Sequence, residues 1–373
     1  MQQLPLGAHE KVIFALRSLY NRYGYSQYKM SKFEEYDLYA RNKDFLISDR
    51  VITFTDLSGK LMALKPDVTL SIVKNSKDIS KTVQKLYYNE NVYRVAKGAH
   101  GFKEIMQVGL ECLGDIDDYC ICEVLTLAAE SLACISDRCV LDISHLGLLS
   151  GLIDSIGVPN DQKATLLKAI GEKNLHELAA ICRDCGICEE HIAVLQQLVS
   201  TSGAPDAVLP KVKALLDGIT DLQPLEQLIR MVSALKGCDL SAMLRFDFSV
   251  VDDIHYYNGI VFKGFIDGIP NSVLSGGQYD KLMQKMHRKS GAIGFAVYMD
   301  MLDRLNSQEK EYDVDILLLH GKGTDLASIR AKAKALMETG CSVMVQQHLP
   351  ENIRYRQLIQ LNGSEVEILE NNA

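Results

Sequence analysis

The first 156 residues alternate between segments with helical spacing and segments with strand-like spacing of apolar positions. Apolar residues recur at helical spacing over residues 2–23, and Gly24 follows as a typical helix stop signal. From residue 27 to residue 69 the pattern becomes short and strand-like, and residues 51–64 predict a hairpin that turns at Ser58-Gly59. The spacing then predicts a helix at 68–75, strands at 83–94 and 104–113, a helix at 121–134, a strand at 140–144 and a helix at 146–156.

The middle of the chain changes character and predicts a series of amphipathic helices. They are expected at residues 161–170, 174–182, 189–201, 207–217 and 224–235. Strands resume over 244–265, the Gly276-Gly277 pair is predicted to turn into a helix at 278–286, and a strand and a helix are expected over 292–305. The pattern therefore predicts an α+β sheet domain that is interrupted by a helical insertion.

A polar segment, residues 306–311, separates this sheet domain from a small C-terminal α/β unit. In that unit the pattern predicts a buried strand at 314–320, a helix at 326–337, a second strand at 341–346 and a short acidic tail at 365–373. We therefore expect a main domain over residues 1–310, with its insertion at about 159–237, and a second domain over 311–373.

The composition is that of a soluble globular protein, with 47% hydrophobic and 24% charged residues. A net charge of -8 excludes a general basic field for nucleic acid. The first residues lack a signal-peptide pattern, and no apolar run approaches membrane-spanning length. Ten cysteines without a secretion signal predict reduced thiols and a cytoplasmic location.

Cys182, Cys185 and Cys188 stand at two-residue gaps that could suit an iron–sulfur cluster or zinc. The alternative interpretation is structural, because Gly186 ends a predicted helix and Cys188 lies near the N-cap position of the next one. Cys182 and Cys185 would then be small apolar packing residues. Since no second cysteine pair at ligand spacing is nearby, we favour the structural interpretation and expect no metal site.

Polar residues with a period of two mark the strand at 104–113. Gln107, Gly109 and Glu111 share one face, whereas Val108 and Leu110 face the core. Gly109 between two polar residues leaves room for a ligand on that face. The alternative is an ordinary half-solvated strand.

Further polar and aromatic residues cluster in three other segments. Asp67 and Thr69 come to a common side after a strand break at Pro66, and Arg94 ends a tyrosine-rich strand. The Tyr256-Tyr257 pair and Tyr279 add aromatic walls. Carboxylates, amides and tyrosines together suit a small ligand with a cationic amine or an imidazole.

Six segments, in this order along the chain, carry a specific resemblance to a known family: LKPDVT, YYNENVYR, QVGLE, RFDFSVVDDIHYYNGIVF, SGGQYD and GAIGFAVYMDML. Over roughly residues 4–305 this set resembles the catalytic core of histidyl-tRNA synthetases, including the position of the helical insertion. The resemblance implies a class II synthetase-like fold, an antiparallel sheet flanked by helices, that is normally dimeric.

The departures from the synthetase pattern concern the residues that act on ATP and on the amino-acid carboxylate. An arginine of the synthetases is replaced here by Asp252, and a second arginine, on ATP, is replaced by Met301. A motif glutamate is replaced by Ala96, and a phenylalanine that stacks on adenine by Ile105. Arg94 is retained, but adenylyl transfer depends on several positioned positive charges. We therefore expect no catalytic residues and no cofactor.

The residues of the synthetases' amino-acid pocket are retained better than the residues that act on ATP. The resemblance implies candidate histidine-binding residues at Asp67, Thr69, Arg94, Gln107, Glu111, Tyr256, Tyr257 and Tyr279. Within this set, Glu111 and Tyr257 are expected on the imidazole, and Asp67, Thr69 and Gln107 on the amine. Asp67 stands for the usual glutamate and is one methylene shorter.

A synthetase-like body without its ATP and tRNA residues is similar to the regulatory subunits of ATP phosphoribosyltransferase, the first enzyme of histidine biosynthesis. That likeness implies a partner, the short-form catalytic subunit, and dimers of this chain within a hetero-octamer. It also implies histidine as a feedback effector, with no binding of tRNA or of a membrane. The C-terminal segment is too short for a full anticodon-binding domain, and Arg354 and Arg356 offer local positive charge there.

Two other functions remain open from the sequence. The chain could be a histidyl-tRNA synthetase with an atypical active site, or an interaction scaffold without a ligand site. Histidine could also bind at a subunit interface instead of in the synthetase-like pocket.

Overall fold

The computed structural model describes residues 7–46, 50–76, 82–95, 101–235, 242–251, 256–304, 312–363 and 365–372. The chain divides into two compact units, residues 1–305 and residues 306–373, and each is described by itself. The domain boundary at residue 310 stays a prediction.

Two sheets form the framework of the first unit. Its strands are β1 (Ser26–Gln27), β2 (Phe33–Glu35), β3 (Thr53–Thr55), β4 (Leu61–Leu64), β5 (Val83–Val95), β6 (Phe102–Gly114), β7 (Cys139–His145), β8 (Ser202–Gly203), β9 (Leu244–Asp247), β10 (Ile260–Ile266), β11 (Leu274–Gln278) and β12 (Gly291–Tyr298). The large sheet has the order β1-β5-β6-β12-β11-β10-β7-β9-β8, and the small sheet has the order β2-β4-β3.

The large sheet is mainly antiparallel, as the sequence predicts. All pairs from β5 to β7 in the sheet order are antiparallel, whereas β1 pairs with β5 and β7 with β9 in parallel. The long β5–β6 pair runs from Val83 opposite Gly114 to Val95 opposite Phe102. Because this register is unbroken, the residues of the two strands that share a sheet face lie at fixed positions relative to each other.

Helices cover both sides of this sheet. They are α1 (Ala8–Arg22), α2 (Tyr36–Arg41), α3 (Thr69–Asn75), α4 (Asp118–Ala133), α5 (Leu146–Ser155), α6 (Asn160–Gly171), α7 (Leu175–Asp184), α8 (Glu189–Ser200), α9 (Pro205–Leu216), α10 (Gln223–Leu235) and α11 (Asp280–Lys285). The predicted helical insertion is confirmed as α6 to α10. A 3-10 turn, Met299–Arg304, follows β12.

The two faces of the large sheet bury different cores. Val108, Leu110 and Cys112 of β6 point into the main core, which α1, α4, α5 and the insertion helices share. The opposite face packs against a second core that includes Tyr88, Tyr256 and residues of α3 and α11. The alternation predicted for β6 is therefore confirmed, and the ligand-like residues lie on the side of the second core.

Two predictions of local structure are wrong. Gly276 and Gly277 do not turn into a helix; they lie inside β11, and α11 begins only at Asp280. A Cβ on Gly276 would stand 2.4 Å from Cβ of Phe295, so this central strand needs glycine for close packing. The strand-like reading of residues 27–69 also missed α2, a helix of six residues.

The cysteine-rich segment belongs to the insertion. Cys182 is buried in the main core, Cys185 caps the C-terminus of α7, and Gly186 follows with φ 74°. Cys188 is the N-cap residue of α8, as the structural interpretation predicts. Within the described ranges, no group of three or more His, Cys, Asp or Glu residues could hold a metal ion.

The second unit is a four-stranded sheet with one helix. Its elements are β13 (Val314–His320), α12 (Leu326–Glu338), β14 (Val343–Gln346), β15 (Tyr355–Asn362) and β16 (Glu365–Asn371), with sheet order β14-β13-β15-β16. Ile316, Leu318 and Ile359 pack with Ile329 of α12. The acidic segment predicted as a tail thus forms β16 instead, antiparallel to β15.

Helices long and apolar enough to cross a membrane are absent from the described residues of both units.

Candidate functional site

A cavity of about 370 Å³ opens on the face of the large sheet that carries the second core. It is lined by all eight residues that the sequence predicts for a ligand site: Asp67, Thr69, Arg94, Gln107, Glu111, Tyr256, Tyr257 and Tyr279. These residues come from five separate segments, and the sheet register brings them together. Their role in binding histidine stays a prediction.

Glu111 lies at the bottom of the cavity and is held at both carboxylate oxygens. The Thr69 hydroxyl donates to Oε1 at 2.7 Å, and the Tyr279 hydroxyl donates to Oε2 at 2.6 Å. Glu111 is only 2% exposed and Gln107 only 3%, so the alternative of a half-solvated strand is wrong. A carboxylate held by two hydroxyl groups in a cavity is a fixed acceptor for an N–H donor of a ligand.

Burial raises the pKa of Glu111 from its ordinary 4.5 to about 8, against the lowering effect of the hydrogen bonds from Tyr279 and Thr69. The charge of Asp67 raises this pKa further. Burial thus favours the protonated form of Glu111, and a cationic or N–H-rich ligand would favour its ionised form.

This pKa predicts a pH dependence of stability. Because the folded-state pKa lies above the unfolded value, the stability contributed by the bound proton is complete below pH 4.5 and is lost as the pH rises through about 8. We expect the urea midpoint of wild type to fall more steeply from pH 5 to pH 8 than that of Glu111→Gln. Far-UV circular dichroism measures the unfolding of both proteins. The difference should be on the order of a few kcal/mol of unfolding free energy.

Glu104→Gln is the matched control for this experiment, since Glu104 is an exposed residue of the same strand. Its urea midpoint should change with pH as that of wild type does. Equal slopes for wild type and Glu111→Gln would show that Glu111 titrates normally in the folded chain.

Asp67 and Arg94 form the second charged element of the cavity. The carboxylate of Asp67 accepts from the backbone N–H of Leu70 at 2.8 Å in the first turn of α3, and it lies 3.8 Å from the Arg94 guanidinium. Nε of Arg94 donates to the carbonyl oxygen of Pro66 at 2.7 Å. Burial raises the pKa of Asp67, and the charge of Arg94 opposes that rise.

Three tyrosines build one wall of the cavity. The Tyr256 ring lies 4.7 Å from that of Tyr257 and 5.7 Å from that of Tyr279, measured between centroids. Asn258 then ties this segment to the start of α11, because its side-chain amide donates to Asp280 at 3.0 Å and accepts from the Asp280 N–H at 2.8 Å. The wall is thus held by hydrogen bonds beyond the cavity.

Two glycines shape the floor between these walls. A Cβ on Gly294 would stand 1.8 Å from Oε2 of Glu111, so glycine is needed for this carboxylate to lie flat over β12. A Cβ on Gly109 would stand 2.5 Å from the Tyr88 hydroxyl. The space predicted above Gly109 for a ligand is therefore filled by the ring of Tyr88.

The positions that depart from the synthetase pattern are placed only in part. Met301 packs against the main core, and Ile105 packs against the second core. Neither residue lines the cavity. Asp252 and Ala96 lie outside the described residues.

The sequence did not single out several other lining residues, among them Phe45, Tyr88, Lys263, Ser275 and Tyr298. Lys263 and Ser275 stand opposite each other on β10 and β11, in register. A polar residue inside the apolar run of β10 is the signal that could have identified Lys263.

Comparison with known proteins agrees with this architecture. The family model described as histidyl-tRNA synthetase matches residues 6–302. An ATP phosphoribosyltransferase regulatory subunit from Oceanobacillus iheyensis is 26% identical over 294 residues, which are 78% of this chain and 72% of that protein. The predicted likeness to such regulatory subunits is confirmed.

Solved structures share the fold. An ATP phosphoribosyltransferase regulatory subunit/histidyl-tRNA synthetase from Bacillus halodurans C has a TM-score of 0.78 and 22% identity, covering 96% of each chain. A chain of the ATP phosphoribosyl transferase (HisG:HisZ) complex from Thermotoga maritima has a TM-score of 0.62 and 20% identity, covering 79% of this chain and 98% of that chain. The class II synthetase-like fold is therefore confirmed, and the chain belongs to the histidyl-tRNA synthetase family.

Proposed function

We propose that this chain is a regulatory subunit of ATP phosphoribosyltransferase that binds histidine in the cavity and has no catalysis of its own. The proposal rests on the buried Glu111, held by Thr69 and Tyr279, in a cavity for which the resemblance to histidyl-tRNA synthetases implies histidine as the ligand. The names of the curated relatives support the regulatory role, since they describe regulatory subunits and not synthetases.

Histidine offers the donors that this cavity requires. Its imidazole can donate an N–H to Glu111 or, as an imidazolium, form a buried ion pair with the ionised carboxylate. Its ammonium would lie near Asp67, Thr69 and Gln107, and the tyrosine wall would contact the ring. In this arrangement Glu111 and Tyr257 recognise the imidazole.

Adenylate formation would lack positive charge at the ATP. A methionine side chain has no hydrogen-bond donor, and Met301 packs against the main core. Arg94 lines the cavity, but its guanidinium already serves Pro66 and Asp67. A partly neutralised guanidinium is a weak substitute for a set of charges aimed at the phosphates.

Binding of tRNA is also disfavoured in the second unit. Arg354 lies 3.1 Å from Asp313, and Arg356 lies 3.6 Å from Asp315, so each arginine has a carboxylate beside it. The strand β16 adds Glu365, Glu367 and Glu370. This acidic strand would repel phosphates.

The relatives support a catalytic partner for this chain. The Thermotoga maritima structure is of a complex of two kinds of chain, and by analogy this chain would pair with a short catalytic phosphoribosyltransferase subunit, as dimers in a hetero-octamer. Histidine would then inhibit by favouring one arrangement of the complex, which requires different affinities for the two arrangements.

Reconstitution tests the proposal. We expect the short catalytic chain of the same genome to co-elute with this protein on size exclusion, and its phosphoribosyl transfer to rise several-fold. Added histidine should lower that activity again. Separate elution together with unchanged activity of the catalytic chain would refute the regulatory role, whatever the cavity binds.

A further inference from the structure

The cavity has a second polar end, which the predicted histidine residues do not include. Lys263 of β10 and Ser275 of β11 line it. Lys263 stands opposite Ser275, Ser275 opposite Ala296 of β12, and Ala296 opposite Gly109 of β6. This row runs straight across four strands on one sheet face.

This row gives the separation between Lys263 and the end of the cavity that holds Glu111. Three steps between neighbouring strands amount to about 14 Å from Lys263 to Gly109 at their Cα atoms. Glu111 lies two residues beyond Gly109 on the same face. The Cα atoms of Lys263 and Glu111 are therefore about 15 Å apart, which leaves room for a small ligand between the two side chains.

The two described cations that line the cavity differ in their surroundings. Arg94 is buried beside Asp67 and donates to the Pro66 carbonyl. Lys263 is half-buried, with Ser275 on one neighbouring strand and Asp142 on the other. An ammonium has three N–H donors, so Lys263 can keep a contact within the protein and still donate to a ligand.

A zwitterionic amino acid needs a cation at its carboxylate, and in the synthetase pattern an arginine at position 252 supplies it. This sequence has Asp252 at that position. We propose that Lys263, with the hydroxyl of Ser275 beside it, is the carboxylate-binding element of the cavity. This assignment rests on the proposed function, because it takes histidine as the ligand.

The arrangement makes a chemical distinction between ligands. Glu111 at one end would recognise the imidazole, and Lys263 at the other would recognise the carboxylate. Histidinol keeps the imidazole and the amine but has a hydroxymethyl group instead of the carboxylate. The cavity should therefore prefer histidine to histidinol, and the preference should depend on Lys263.

Calorimetric titration at one pH tests this with wild type, Lys263→Met and Lys263→Arg. We expect wild type to bind histidine at least about tenfold more tightly than histidinol, as a charge-assisted hydrogen bond predicts. Lys263→Met should lower the affinity for histidine by at least about tenfold and change the affinity for histidinol by no more than about twofold, so that the preference disappears. Lys263→Arg should keep most of the preference.

Lys281→Met is the matched control, since Lys281 is an exposed residue of α11 that does not line the cavity. It should bind both ligands as wild type does, and thermal unfolding should show that each variant is folded. A histidine-to-histidinol ratio that Lys263→Met leaves at the wild-type value would overturn the assignment of Lys263 alone. Wild-type protein that binds neither compound would overturn the proposed histidine site as well.

Discussion

Glu111→Ala is expected to weaken the binding of histidine to the isolated chain by at least about thirtyfold, since a hydrogen bond to a charged group contributes about 2–3 kcal/mol. The carboxylate is buried, and Thr69 and Tyr279 hold both of its oxygens. Removal of the carboxylate takes away the acceptor for the imidazole and leaves two hydroxyl groups without their partner. Isothermal titration with histidine measures the effect.

Two further variants separate recognition from folding. Glu111→Gln keeps an acceptor for the Tyr279 hydroxyl but loses the charge, so its affinity should fall between those of wild type and Glu111→Ala. Glu104→Ala changes an exposed glutamate of the same strand and should bind as wild type does. Equal heats for wild type and Glu111→Ala would reject this glutamate as the imidazole contact.

The second large effect is the absence of a synthetase reaction. The purified chain is expected to form no histidyl-adenylate, because Met301 supplies no donor and Asp252 carries a negative charge where the synthetases have an arginine. Met301→Arg alone should therefore restore no activity.

Part of the site could be predicted from the sequence because Gln107 and Glu111 lie on a strand with a strict period of two. Gln107 and Glu111 had to share a face of β6, and the burial of Val108 and Leu110 decided which face turned to the core. The separate segments at Asp67 and Tyr256 could be joined to that face only through the resemblance to a known family. Periodicity alone does not say which strands are neighbours.

Other features depended on packing that no local pattern reveals. The glycine pair at 276 and 277 has the composition of a turn, yet it lies in a central strand. Glycine is needed there because Phe295 of the neighbouring strand packs closely against Gly276. The space above Gly109 was expected to hold a ligand, and the Tyr88 ring of the neighbouring strand occupies it. Lys263 was missed because a single lysine in a strand is normally a surface residue.

In the proposed function, the amino-acid half of a synthetase site persists without the synthetase reaction. ATP–pyrophosphate exchange distinguishes this from a working enzyme when it is measured with and without histidine on a preparation that binds histidine by calorimetry. We expect binding heat together with an exchange rate that stays at background. An exchange rate that increases with histidine concentration would contradict the claim and identify the chain as a working synthetase.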